Sequence, residues 1–263
     1  MLKFSSEAEL QFEQRREGGM FDRKKFDQEK LDAISKAKAD SKLIQKGLEF
    51  VEYSDKHRYG YNWTWMGLPI IQMPEDIVLT QELIWELKPD YVIELGIAWG
   101  GSLAMYASFM ELSGKGQVIG IDITIPEHNA EAIMSCPVSS RISLIRGSSI
   151  DKSLFDNVAA RIPKGSKVIM VLDSNHTHEH VYKELILWSP LVHAGSYIIV
   201  SDTIVEHIPA QVHRPRHWGP GNNPGTAAIK FLNENSRFTS ENSYSDRAIA
   251  SFNPAGYLKA LLN

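Results

Sequence analysis

Between residues 91 and 202 the chain alternates two hydrophobic periods. The runs YVIEL, QVIGID, ISLIRG, KVIMVLD and SYIIVSD are short and almost continuously apolar, as expected of parallel strands buried on both faces. Between them lie SLAMYASFMEL, EHNAEAIM, DKSLFDNVAARI and HVYKELILWSPLV, which carry apolar residues at helical spacing. Strands alternating with helices predict an α/β fold with a doubly wound parallel sheet. Lys164-Gly165 and Ala194-Gly195 stand just before strands, where turn residues belong. After Ser201 the rhythm breaks. A long segment, VEHIPAQVHRPRHWGPGNNPG, precedes a helix at TAAIKFLNEN. RFTSENSY and AIASFN then read as a terminal hairpin, with Gly256 to Leu262 as a tail.

Upstream of residue 91 the pattern differs. FDRKKFDQEKLDAISKAKADSKLIQKGLEFV spaces Leu31, Ile34, Ala37, Leu43 and Leu48 as a helix would. The aromatic stretch YGYNWTWMGLPIIQMPEDI follows, and Pro69 and Pro74 stop it from being one long helix. Two regions result: residues 1–74, a helical extension with an aromatic segment, and residues 75–263, the sheet-forming domain.

Composition narrows the class. With 43% hydrophobic and 23% charged residues, the chain is an ordinary globular one. A net charge of −4 without a basic stripe argues against nucleic-acid binding. The single cysteine, Cys136, excludes an internal disulfide and a multi-cysteine zinc site, and points to a reducing compartment. MLKFSSEAELQFEQRREGG is too charged for a signal peptide, and no apolar run reaches the roughly 20 residues of a membrane helix. The expectation is a cytoplasmic protein with no membrane partner. The amphipathic extension suits a homo-oligomer.

Candidate chemistry gathers at strand ends, where open α/β sheets bind ligands. The first run ends in ELGIAWGGS. Gly96, Gly100 and Gly101 permit a tight turn, and the helix opening at Ser102 offers free N–H groups. The spacing is neither a dinucleotide GxGxxG nor a Walker A loop. The second run ends at Asp122, a carboxylate placed to accept ribose hydroxyls. The third ends near Ser148 and Ser149, in reach of an adenine edge, and the fourth at Asp173. Together they describe a nucleoside site without a pyrophosphate cradle.

ELGIAWGGS resembles motif I of class I S-adenosylmethionine-dependent methyltransferases, in the form found among catechol O-methyltransferases. WMGLPIIQMPEDI, VLDSNHTHEHVYKEL, SDTIVE and GPGNNPGTA extend the resemblance to the cephalosporin hydroxylase family, over roughly residues 60 to 235. The resemblance implies a Rossmann-like fold and methyl transfer from S-adenosylmethionine to a hydroxyl of a small-molecule acceptor, a sugar or specialised metabolite, assisted by Mg²⁺. It implies that Glu94, Gly96, Ala98 and Ser102 surround the methionine part of the cofactor, that Asp122 holds the ribose and Ser149 the adenine end. Asp173 and Asp202 match metal-binding positions. Where the related enzyme of cephamycin biosynthesis has an acidic pair, this chain has Ser201-Asp202. The family label leaves an oxygen-dependent hydroxylase as an alternative, with a 2-His-1-carboxylate set from Asp173, His176 and a loop histidine. A non-catalytic cofactor-binding partner subunit is a third.

His176, His178 and His180 alternate in VLDSNHTHEHV. A helix starting at Thr177 or His178 would point His178 and His180 about 200° apart, which argues against a three-histidine zinc site. His176, nearest Asp173, is the candidate general base. In the long segment, His207, His213, Arg214, Arg216, His217 and Trp218 are candidates for a lid; the arginines suit an anionic group on the acceptor. Tyr61, Trp63 and Trp65 are candidates for a substrate wall or for anchors to the core.

Overall fold

A computed structural model describes residues 22–262. The first residues, read above as too charged for a signal peptide, lie outside the described ones. The chain divides between Ile44 and Gln45 into two compact units. The first contains helix α1 (Arg23–Ala39). Asp22 caps it by accepting from the N–H groups of Lys24 and Lys25, and none of its residues is buried. Helix α2 (Ser41–Asp55) follows the break at Asp40.

The second unit is built on a seven-stranded sheet. Its strands are β3 (Tyr91–Leu95), β4 (Gln117–Asp122), β5 (Ile142–Arg146), β6 (Val168–Leu172), β7 (Tyr197–Val200), β8 (Phe238–Ser240) and β9 (Tyr257–Ala260). Their order is β5-β4-β3-β6-β7-β9-β8. β3 through β7 run parallel, and β9 is antiparallel to both β7 and β8. This is the doubly wound, Rossmann-like sheet expected from the sequence.

Alternation within the strands splits the core into two layers. Val92, Val118, Ile169 and Ile199 face helices α3 (Pro74–Leu87), α4 (Gly101–Leu112) and α5 (Glu127–Met134). Ile93, Ile121, Met170 and Ile198 face α6 (Lys152–Ala159), α7 (His178–Trp188) and α8 (Pro224–Glu234), where Trp188 and Phe231 are fully buried. Helices on both faces explain why the strands read as unbroken apolar runs.

Two elements differ from expectation. AIASFN is not a strand. The expected tail supplies β9, wedged between β7 and β8, while Asn242–Ser245 forms a short helix, α9. A four-residue YLKA strand has too few positions to show a period. The aromatic segment forms a small hairpin of β1 (Trp63–Trp65) and β2 (Leu68–Ile70), packed with the α4 layer. Among the described residues, no helix is long and apolar enough to cross a membrane.

Candidate active site

Strand order reverses between β3 and β6, so the loops leaving those two strands part and open a crevice. The β3 loop reaches it through left-handed backbone at Gly96 (φ 87°), Ala98 (φ 43°) and Gly100 (φ 79°). At Gly96 a Cβ would lie 2.3 Å from the Asp173 carbonyl oxygen; only glycine lets the β3 and β6 loops close up. Behind this turn Glu94 is fully buried and accepts from the hydroxyls of Ser102 (2.7 Å) and Tyr106 (3.1 Å). Burial pushes its carboxyl up to about 8, against the pull of those two hydrogen bonds and with a further push from Asp122. Asp122, at the end of β4, accepts from the backbone N–H groups of Ile97 and Thr124, each at 3.0 Å. Its carboxylate thereby ties the glycine turn to the neighbouring strand.

On the other side of the crevice, Asp173, His176 and Asp202 converge. One potential ligand atom from each lies within 4.8 Å of the others, and His176 Nε2 is 3.4 Å from Asp202 Oδ2. Burial holds the Asp173 carboxyl well above the usual carboxylate range, and the charges of Asp202, Glu94, Glu184 and Asp76 add to it. His176 packs edge-on against Trp218, ring centroids 5.1 Å apart.

The three histidines part at the start of α7. Thr177 is the N-cap, and Asn175 Oδ1 accepts from both its N–H (2.9 Å) and its hydroxyl (2.8 Å). His178 Nδ1 bonds Thr226 on α8 at 2.8 Å. His180 Nε2 lies 3.0 Å from Ser149 Oγ and 3.2 Å from the buried Glu184. Only His176 turns toward the crevice, so a three-histidine centre is not formed. The 2-His-1-carboxylate set is not assembled among the described residues either. His207 and His217 are exposed and line no wall of the crevice, and His213 bonds Asp55 at 2.7 Å.

A cavity of about 270 Å³ joins both halves. Gly96, Ala98, Ser102, Asp122, Asp173, His176 and Asp202 line it. Arg214, Arg216 and Trp218 of the long segment line it too, as do Tyr61 and Asp55. Arg214 is already matched: it pairs with Asp55 and donates to the Tyr61 hydroxyl at 2.8 Å. Arg216 stacks over Trp218, 4.9 Å from the ring centroid.

Several sequence candidates fall outside the lining. Trp65 donates its indole N–H to Ser108 at 3.0 Å and packs on Phe109, so it anchors the hairpin to α4. Ser149 is buried between α7 residues: its hydroxyl meets His180 and its carbonyl accepts from Trp188 at 2.7 Å. Ser201 is buried, with its N–H donated to Leu172. Glu94 acts from behind the wall. Conversely, Asp55, Gln211 and Phe252 line the cavity without having shown any local signal. They arrive from a helix end, a loop and the segment before β9.

Residues 57–261 match the family described as Rhamnosyl O-methyltransferase/CmcI. A rhamnosyl O-methyltransferase of Mycobacterium leprae is 29% identical over 157 residues, covering 58% of this chain and 66% of its own length. Its counterpart in Mycobacterium tuberculosis strain H37Rv is 27% identical over 147 residues, 56% of this chain and 59% of that protein. The chain thus spans less than two thirds of these curated relatives. Two solved structures share the fold: CmcI with Mg and SAM (21% identity, TM-score 0.52, 76% of this chain and 77% of that one) and apo CmcI (20%, TM-score 0.53, 77% and 78%).

Proposed function

The chain belongs to the Rhamnosyl O-methyltransferase/CmcI family, and from that premise we propose that it is an S-adenosylmethionine-dependent O-methyltransferase, assisted by Mg²⁺, acting on a hydroxyl of a small sugar or specialised metabolite. One observation carries the reading: the glycine turn with Asp122, and the Asp173–His176–Asp202 cluster, open into the same cavity. Relatives named as O-methyltransferases and a CmcI structure with Mg and SAM support it.

The residues fit both groups. Left-handed backbone at Gly96, Ala98 and Gly100 clears a concave rim at the start of α4, and the Asp122 carboxylate stands beside it for ribose hydroxyls. Two carboxylates crowded by like charges suit a hard divalent cation, and Asp173 and Asp202 would hold it. When bound, S-adenosylmethionine supplies an electrophilic methyl group and the ion a Lewis acid for the acceptor oxygen. His176 Nε2, 3.4 Å from Asp202 Oδ2, takes the acceptor's proton. Trp218 holds the imidazole ring edge-on. Arg214 serves the loop rather than the acceptor, because Asp55 already neutralises it. Arg216 is left to meet an anionic or polar group of the acceptor.

Calorimetry with S-adenosylhomocysteine tests the cofactor site: wild type binds and Asp122→Ala binds at least about tenfold more weakly, the loss of one hydrogen-bonding carboxylate. Absence of binding in both sinks the reading. Chelator treatment abolishes turnover and Mg²⁺ restores it; full activity after chelation removes the metal from the reaction. The reading extends to a cytoplasmic homo-oligomer, supported by a lone, buried Cys136 and by an α1 that buries no residue; sedimentation velocity measures the assembly.

A further inference from the structure

The backbone that presents Asp202 is gripped by residues from a distant part of the chain. Asp202 is left-handed (φ 58°), one residue beyond the end of β7 and just before the helical turn Thr203–Glu206. Its N–H donates to Asn253 Oδ1 at 3.0 Å. The Asn253 N–H donates to Ser251 Oγ at 2.8 Å, and that hydroxyl donates to Asp76 Oδ1 at 2.5 Å. The second Asp76 oxygen accepts from the Phe252 N–H at 2.8 Å. Two further bonds fasten the same pieces: Ile204 N–H to the Phe252 carbonyl (3.0 Å) and Thr203 Oγ1 to the Pro254 carbonyl (2.7 Å).

We propose that Asp76, Ser251 and Asn253 form a buried relay that fixes the turn at Asp202, which makes Asn253 a positioning residue for the reaction. The inference rests on the reading above that Asp202 serves the active site. Exposures of 1%, 5% and 6% for Asp76, Ser251 and Asn253 leave little water to replace a lost partner. An unpaired buried N–H costs about 1–3 kcal/mol in general, so without Asn253 the left-handed turn loses the bond that fixes the Asp202 N–H itself. The relay is not generic packing: each of its members is polar, and its last bond ends on the backbone of a residue that faces the cavity. Asp76 is itself fixed, in the first turn of α3 beside Glu75, whose carboxylate accepts from the N–H groups of Ile249 (2.6 Å) and Ala250 (3.1 Å). The start of α3 therefore holds the whole 249–252 strap, and the strap holds Asp202.

The test uses the full chain with Asn253→Ala, Ser251→Ala and the acceptor-retaining Asn253→Asp. Amide hydrogen exchange at Asp202, Mn²⁺ affinity and S-adenosylhomocysteine affinity are measured on each. In Asn253→Ala the Asp202 amide exchanges about tenfold faster or more, as expected for one lost hydrogen bond. Mn²⁺ binds about 10–100-fold more weakly, the usual effect of removing a group that orients a ligand. S-adenosylhomocysteine affinity stays within about twofold, since Asn253 lies outside that half of the crevice. Asn253→Asp keeps the acceptor oxygen and restores Asp202 protection. Wild-type protection of Asp202 in Asn253→Ala overturns the relay. Should that variant not fold, Ser251→Ala decides: faster exchange at Asp202 supports the relay and unchanged exchange overturns it. If wild type binds no Mn²⁺, the metal reading fails, while the exchange comparison still decides the relay.

Discussion

Glu94 is fully buried, with the hydroxyls of Ser102 and Tyr106 donating to it, and burial holds its proton more tightly in the folded state than in the unfolded. Burial raises it from 4.5 to about 8, and Asp76 behaves alike at about 7 for the same reason. The sign follows from linkage: a carboxyl raised in the folded state contributes most below its unfolded value, and that contribution fades as pH climbs toward the folded one. Stability of the wild type should therefore fall between pH 5 and 8. Glu94→Gln removes its share of the slope, up to about 1.4 kcal/mol per pH unit for one proton. Thermal melts across that range measure it, and parallel curves for the two proteins contradict the assignment. His176 makes a different prediction. Without its imidazole, His176→Ala should lose about 10²–10⁴ in kcat while S-adenosylhomocysteine affinity holds. Steady-state rates beside calorimetry separate the two; a matching loss of cofactor affinity would make His176 a structural residue.

At the level of elements, the glycine turn and the helix caps carry the site. Gly96→Ala places a Cβ 2.3 Å from the Asp173 carbonyl oxygen and keeps a left-handed φ. The left-handed conformation alone costs about 1–2 kcal/mol, and the clash pushes the β3 and β6 loops apart. A drop in melting temperature together with weakened cofactor binding is expected; a variant as stable as wild type would show that the loops can part freely. Helix α8 begins with a capping box, in which the Asn223 side chain accepts from the Thr226 N–H at 3.1 Å. The same side chain donates to Glu206 and, at 2.9 Å, to the Gly219 carbonyl. Because Asn223 is fully buried, Asn223→Ala should cost about 2 kcal/mol, at the upper end for a cap, as read by denaturant unfolding.

The whole molecule brings together parts that are far apart in sequence. Asp55 at the end of α2 accepts from Arg214 and His213, so the long segment that lines the cavity is fastened across more than half of the chain's length. Asp55→Ala removes both fastenings. Acceptor KM is expected to rise about tenfold, the worth of one or two partly exposed polar contacts, with the cofactor affinity unchanged. An unaltered KM would mean that the segment lines the cavity without its clasp.

The sequence by itself determined the sheet, because helices on both faces oblige its inner strands β3, β4, β6 and β7 to be largely apolar, with the glycines and acids gathered at or near their ends. It also put Gly96, Asp122, Asp173 and His176 a fixed step from a strand end, where they line the cavity. Tertiary structure decided the rest. Which histidine turns inward depends on where α7 starts and on Thr226 and Ser149 capturing the other two. Trp65 and Ser149 were drawn away by Ser108, His180 and Trp188, partners with no sequence proximity. Asp55 and Asn253 reach the site only because strand β9 folds back between β7 and β8 and the loop crosses to α2. Periodicity reports which face of an element is buried; it does not report which side chain will meet which across the fold.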